Sequence, residues 1–125
     1  IIILVADFFA LNAQDVGDID VVYDRAALIA LPSELRSKYA NLLKQWMSPK
    51  TQQLLITLHY QQSDMAGPPF SVDAQELVQL YAGYSIERFC EHEIIELEPR
   101  FKAKGLSSLK ECVYLIHSTE STGAA

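Results

Sequence analysis

The stretch IDVVYDRAAL, residues 19–28, decides the fold of this chain. Its apolar run, residues 19–23, has the length of a buried strand and ends at Asp24 and Arg25. In open α/β sheets, ligands bind at the edge formed by the carboxyl ends of the strands. A charged pair is costly to desolvate, so two interpretations stay open. The pair either serves a ligand at that edge, or is an ordinary surface pair at a strand-to-helix turn.

Strand-like and helical segments alternate along the chain, which predicts an α/β fold with a mostly parallel sheet. Ser33 suits the N-cap of a first helix, and Asp73 opens the capping-box pattern of a second helix. Gly83 stands where a left-handed residue ends that second helix. Segments that look like strands occupy residues 1–6, 19–23, 53–60, 84–93 and 109–117, while residues 96–105 have the charged composition of a loop.

The composition limits the classes of function. The chain has 125 residues, half of them hydrophobic, which is enough for one domain with a real core. A net charge of -6 argues against a nucleic-acid partner, and no apolar run approaches the roughly 18 residues of a membrane span. Two cysteines make no disulfide framework, and three scattered histidines predict no metal site. These features favour a reducing, cytoplasmic setting.

The organisation suggests a piece of a longer domain. Residues 1–118 are expected to form part of one domain, with residues 119–125 as a flexible tail. The chain begins without Met, in the middle of its most apolar segment, which a complete domain seldom does.

Two further segments are candidates for a site. Asp7 follows the first apolar run, where it either caps a turn or faces a ligand. The stiff loop at residues 67–71 either holds Phe70 as the wall of a flat apolar pocket or simply connects two elements. No Ser-His-Asp or Cys-His arrangement can be argued from spacing, and no glycine-rich nucleotide loop is present.

Several blocks, taken together and in order, resemble the thiopurine S-methyltransferase family. The specific ones are IDVVYDRAAL at residues 19–28 and GPPFSV at residues 67–72. Supporting blocks are ADFFAL (6–11), LLITL (54–58), PRF (99–101) and ECVYL (111–115).

The resemblance implies a Rossmann-like class I methyltransferase fold with S-adenosyl-L-methionine as its cofactor. Such folds have the strand order 3-2-1-4-5-7-6, with an antiparallel pair at the carboxyl end. On this map residues 1–6, 19–23 and 53–60 are strands 3, 4 and 5, and the first two strands are missing. The fold is therefore expected to be incomplete, with residues 1–6 lacking a native neighbour and strand 4 exposing a bare edge.

The resemblance also implies roles for particular residues. Asp7 and Phe8 would border the adenine of the cofactor, while Arg25 would lie near the cofactor and the reacting centre. Pro69 and Phe70 would belong to the acceptor pocket, and Asp24 would orient Arg25 or its turn. The reaction would be methyl transfer to the sulfur of a small thiol or thiopurine, or to selenium or tellurium species. A thiolate needs little acid-base help, so Arg25 is expected to act electrostatically and to lower the thiol pKa.

Two alternatives stay open at this point. The chain could be a non-catalytic interaction module that binds a partner chain through its exposed sheet edge, or a methyltransferase for halide or small thiols. With the cofactor motif absent, the chain alone is expected to be inactive and to bind S-adenosyl-L-methionine weakly. The sequence determines neither the natural acceptor nor the oligomeric state.

Overall fold

The computed structural model describes residues 1–119, and within them four strands form one sheet. The strands are β1 (Val21–Asp24), β2 (Gln52–His59), β3 (Tyr84–Glu93) and β4 (Lys110–Ser118). The helices are α1 (Ala13–Val16), α2 (Ser33–Trp46), α3 (Ala74–Leu80) and α4 (Pro99–Ala103). None of these helices has the length and apolar character needed to cross a membrane.

The strand order confirms the predicted α/β class, but the prediction of a mostly parallel sheet is wrong within residues 1–119, where one of the three strand pairs is parallel. The order is β1-β2-β4-β3, with β1 and β2 parallel and β4 antiparallel to both of its neighbours. This arrangement corresponds to strands 4-5-7-6 of the order that the resemblance implies. The carboxyl ends of β1 and β2 therefore meet at one edge, and Asp24 and Arg25 lie there, as predicted.

The two faces of the sheet differ in burial. Gln53, Leu55 and Thr57 on one face of β2 are fully buried. Helices α2 and α3 cover this face, since the Gln53 amide donates to the Tyr81 hydroxyl at the end of α3 (3.2 Å). Burial of one side chain such as Leu55 stabilises the fold by about 1.5–3 kcal/mol. On the opposite face, alternate residues such as Ile56 are only half-buried.

The ends of the two longer helices follow local rules, with one shift. Asp73 caps α3 as predicted, because its carboxylate accepts from the Glu76 amide (2.8 Å), and Gly83 has φ +86° after the helix. Helix α2 begins at Ser33 itself, so the prediction of Ser33 as N-cap is wrong by one residue. The Ser33 hydroxyl instead lies 3.3 Å from the Glu34 carboxylate, and Pro32 takes the cap position.

The prediction of a buried strand at residues 1–6 is wrong. These residues form no strand, and the side chains of Ile1 to Val5 are exposed. An isolated strand has no partner for its backbone hydrogen bonds, so apolar composition alone does not produce one. Within residues 1–119 no strand pairs with this segment. Strand β1 likewise has one unpaired edge there, with Val21 and Tyr23 mostly exposed.

The prediction of a loop at residues 96–105 is also wrong. A 3-10 turn, Ile95–Leu97, leads into α4, which has Pro99 in its first turn. Proline suits that position because its fixed φ is helical and its missing N–H would have no helical partner. Thr119, the first residue of the predicted tail, donates its hydroxyl to the Gly83 carbonyl (2.8 Å). The rest of that tail, residues 120–125, lies outside the described residues.

Candidate active site

Asp24 ends β1 and is buried on the face of the sheet that α2 covers. Its carboxylate accepts a hydrogen bond from the Tyr39 hydroxyl (2.8 Å) and another from the Leu28 amide (3.2 Å). Burial raises the pKa of the Asp24 carboxyl, and the hydrogen bonds from Tyr39 and Leu28 oppose that rise. Asp24 therefore ties the end of the strand to α2 and to the turn that follows.

Arg25 follows Asp24 on that turn and is exposed. The next residue, Ala26, has φ +64°, a left-handed conformation that non-glycine residues adopt at a cost of about 1–2 kcal/mol. The two hydrogen bonds to Asp24 hold the turn in this shape. Within residues 1–119 the Arg25 guanidinium has no side-chain partner. The predicted pair is thus divided, with the acid inside the protein and the cation free at the edge.

A cavity of about 400 Å³ opens beside Arg25 at the carboxyl edge of the sheet. Its walls are mainly apolar, with Ile29 from the turn after β1 and Leu58 from β2. Pro69 also lines it, so the structure brings together Arg25 and one of the two predicted acceptor-pocket residues. Such a cavity, apolar with a few polar groups, is typical of a small-molecule site.

The loop that carries Pro69 is fixed by hydrogen bonds. The Tyr60 hydroxyl donates to the Pro69 carbonyl (2.7 Å), and the Phe70 amide donates to the Ile29 carbonyl (2.7 Å). Gly67 has φ +83°, and a Cβ there would lie 2.7 Å from the Phe70 ring. The loop therefore requires glycine at this position both for its backbone and for the close approach of the ring.

Phe70 is not among the residues that line the cavity beside Arg25, and its ring lies close to Gly67 of the same loop. The guanidinium of Arg36 lies over that ring, 5.6 Å from its centre. Arg36 also donates to the Glu76 carboxylate (2.6 Å) and to the Leu31 carbonyl (2.8 Å). This cluster joins α2, α3 and the Phe70 loop, so Phe70 supports the wall that Pro69 presents. Sequence reasoning missed Arg36, because an arginine on the buried face of a helix gives no signal until its distant partner is known.

Asp7 and Phe8 are not among the residues that line the cavity. The Asp7 carboxylate accepts from the Phe9 amide (3.0 Å), which is the turn-capping role that the sequence allowed. The Phe8 ring packs against Tyr39 and Trp46, with ring centres 4.9 Å apart in each case. Phe8 is thus held on α2, near the buried Asp24 contact.

Two carboxylates that the sequence reasoning did not single out also line the cavity. Glu98 stands just before α4, and Glu111 lies on β4 directly across from Leu58. Both are half-buried. Their spacing along the chain carries no signal, because only the antiparallel pairing of β4 brings Glu111 to the carboxyl edge of β2.

A family model described as thiopurine S-methyltransferase matches residues 1–119. The chain belongs to the thiopurine S-methyltransferase family. A relative named thiopurine S-methyltransferase from Vibrio campbellii is 46% identical over 116 residues, which are 93% of this chain and 52% of the relative. One from Pseudomonas putida strain F1 is 49% identical over 108 residues, 86% of this chain and 50% of the relative. The chain thus spans about half the length of these family members.

A solved structure supports the fold. A SAM-dependent methyltransferase from Anabaena variabilis superposes with a TM-score of 0.57, over 85% of this chain and 53% of that chain. The sequence identity is 12%, so this likeness concerns the fold alone. The sheet order therefore agrees with the methyltransferase class that the family membership indicates.

The buried Asp24 generates a prediction about pH. A raised carboxyl pKa in the folded state means that the folded protein binds more protons than the unfolded chain between the ordinary value of 3.8 and the raised value. Lowering the pH from about 7 toward 3.8 should therefore raise the free energy of unfolding relative to that of Asp24→Asn. Urea unfolding over this range measures the difference. Asp18→Asn, which removes an exposed acid, is the control. If the free energies of unfolding of the wild type and of Asp24→Asn change equally with pH, the prediction is contradicted.

The loop generates a second prediction. Gly67→Ala and Gly83→Ala both place alanine at positive φ, at a cost of about 1–2 kcal/mol each. Only Gly67→Ala also meets the Phe70 ring, so it should lower the free energy of unfolding by about 1–3 kcal/mol more. Denaturant unfolding of the two variants gives the comparison. Equal losses would mean that the ring moves aside without cost.

Proposed function

We propose that this chain forms the carboxyl-terminal part of an S-adenosyl-L-methionine-dependent methyltransferase that acts on the sulfur of a small thiol or thiopurine. The observation that carries the proposal is the exposed Arg25 beside an apolar cavity that Pro69 also lines. Family membership supports the class of reaction, and the position of Arg25 beside the cavity supports the role proposed for it. We also propose a reducing, cytoplasmic setting. Cys90 and Cys112 are free cysteines, and the proposed acceptor is itself a thiol.

The roles of the chain's own residues follow from their chemistry. A guanidinium stays protonated and cannot act as a base, so Arg25 acts by its charge. It attracts the acceptor thiol as its thiolate and lowers the thiol pKa. Ile29, Leu58 and Pro69 exclude water and hold the flat part of the acceptor, which positions the sulfur. Asp24 is a positioning residue that fixes the turn bearing Arg25.

The described residues fit the cofactor only in part. When bound, S-adenosyl-L-methionine supplies an electrophilic methyl group, and its nucleoside needs donors and acceptors at the strand ends. We propose that Asp7, Phe8 and Arg25 supply this chain's contacts to the cofactor. Among residues 1–119 no glycine-rich turn joins a strand to a helix. We propose that the remaining half of the family's length supplies that turn.

One observation favours a second candidate. The unpaired edge of β1 carries exposed Val21 and Tyr23, which a partner strand could cover. The chain would then be an interaction module that binds another polypeptide. An activity assay of the full-length gene product with thiopurines, selenite and tellurite separates the two candidates and identifies the acceptor class. Halide and small thiols belong in the same assay.

Replacing Arg25 should reveal its electrostatic role. Arg25→Ala in the full-length protein should lower kcat/KM by about 100-fold, because losing the adjacent positive charge raises the acceptor thiol pKa by about 1–3 units and leaves less thiolate to react. Arg25→Lys should recover part of the activity because it restores the positive charge. Arg88→Ala is the control, since Arg88 is exposed on β3 and pairs with Glu91 (3.2 Å). Unchanged kcat/KM in Arg25→Ala would contradict the role.

The incomplete site makes a second prediction. The 125-residue chain alone should bind S-adenosyl-L-methionine at least about 100-fold more weakly than the full-length protein, because residues 1–119 contain no glycine-rich turn between a strand and a helix. Isothermal titration calorimetry of both proteins measures this ratio. Comparable affinities would show that residues 1–125 contain the whole cofactor site.

A further inference from the structure

Three charged side chains line the cavity beside β1: Arg25, Glu98 and Glu111. Within residues 1–119 none of the three has a hydrogen-bonding or ion-pairing partner for its charged group. Cross-strand from Glu111 lies His92, which makes no such bond to it. The cavity thus combines apolar walls with one unpaired cation and two unpaired anions.

Three nearby acids, two on β3 and one in the 3-10 turn Ile95–Leu97, have partners, unlike Glu98 and Glu111. Glu96 pairs with Lys102 (2.7 Å), and Glu91 pairs with Arg88 (3.2 Å). Glu93, on the same strand as Glu91, accepts from the Leu109 amide (2.7 Å) and from the Ser108 hydroxyl. Of the five acids in residues 91–111, Glu98 and Glu111 are the two without a partner within residues 1–119, and both line the cavity.

Charge determines which ligand such a cavity favours. A half-buried carboxylate without a partner gains from a cation or an N–H donor and is repelled by a second anion. With one guanidinium and two carboxylates, the formal charge of the lining is −1. An acceptor with a thiolate for Arg25 and a cationic group for the carboxylates complements this pattern. An acceptor that carries a second negative charge opposes it.

We propose that Glu98 and Glu111 are specificity-determining residues that favour aromatic thiols bearing a protonated amine over those bearing a carboxylate. The inference rests on the proposed function and deepens it, because it names the charge class of the acceptor. The apolar walls hold the ring, Arg25 holds the sulfur, and the two carboxylates hold the cationic substituent.

A matched pair of acceptors tests the proposal in the full-length protein. One is a thiophenol with a para aminomethyl group, and the other is a thiophenol with a para carboxylate. The wild-type protein should favour the amine by at least about fivefold in kcat/KM, and Glu98→Gln and Glu111→Gln should each reduce that preference by about fivefold. Glu96→Gln, which removes one acid from the same segment but outside the cavity, should leave the preference within about twofold.

The outcomes separate this inference from the proposed function. If the wild-type protein methylates both thiols with equal kcat/KM or favours the carboxylate, the inference is overturned while the function stands. A preference that neither Gln variant reduces also overturns it. If the wild-type protein methylates no thiol, the proposed function fails and the inference fails with it. Should a variant not fold, as judged by circular dichroism, the wild-type preference decides alone.

Discussion

The hydrogen bond between the buried Asp24 carboxylate and the Tyr39 hydroxyl is the contact on which the site depends. It joins the last residue of β1 to the middle of α2, and the Leu28 amide bonds to the same carboxylate. A carboxylate buried without partners would cost several kcal/mol, so both donors must be in place when the fold forms. This requirement fixes the strained turn at Ala26 and thereby the position of Arg25 at the edge of the sheet.

Local rules predicted the parts of the fold that depend on local interactions. Asp73 caps α3 because the capping pattern needs only residues within one turn, and β2 forms because its apolar run has a partner on each side. The order of the strands came from the family resemblance, since periodicity alone does not pair β4 between β2 and β3. The site residues Asp7, Phe8, Arg25, Pro69 and Phe70 remain predictions, of which the cavity brings together Arg25 and Pro69.

The errors arose where long-range contacts decide the outcome. Residues 1–6 have the composition of a buried strand, yet a strand requires a neighbour, and none of residues 1–119 supplies one. Arg36 interrupts the apolar pattern of α2, and only Glu76, forty residues away, explains its burial. Glu111 reaches the cavity through strand pairing rather than through sequence spacing. In each case the outcome depends on a contact between residues far apart along the chain, or on a partner that residues 1–119 do not supply.

The different partners of Asp24 and Arg25 explain why oppositely charged residues can stand side by side in this turn. If the two side chains paired, the carboxylate would neutralise the guanidinium charge. Arg25 would then attract an anionic ligand only weakly. A hydroxyl and an amide satisfy Asp24 instead, and neither carries a charge that competes with Arg25. The carboxylate can therefore hold the turn while the guanidinium stays available at the cavity. Because neutral donors satisfy the acid, the positive charge that the proposed thiolate needs is preserved.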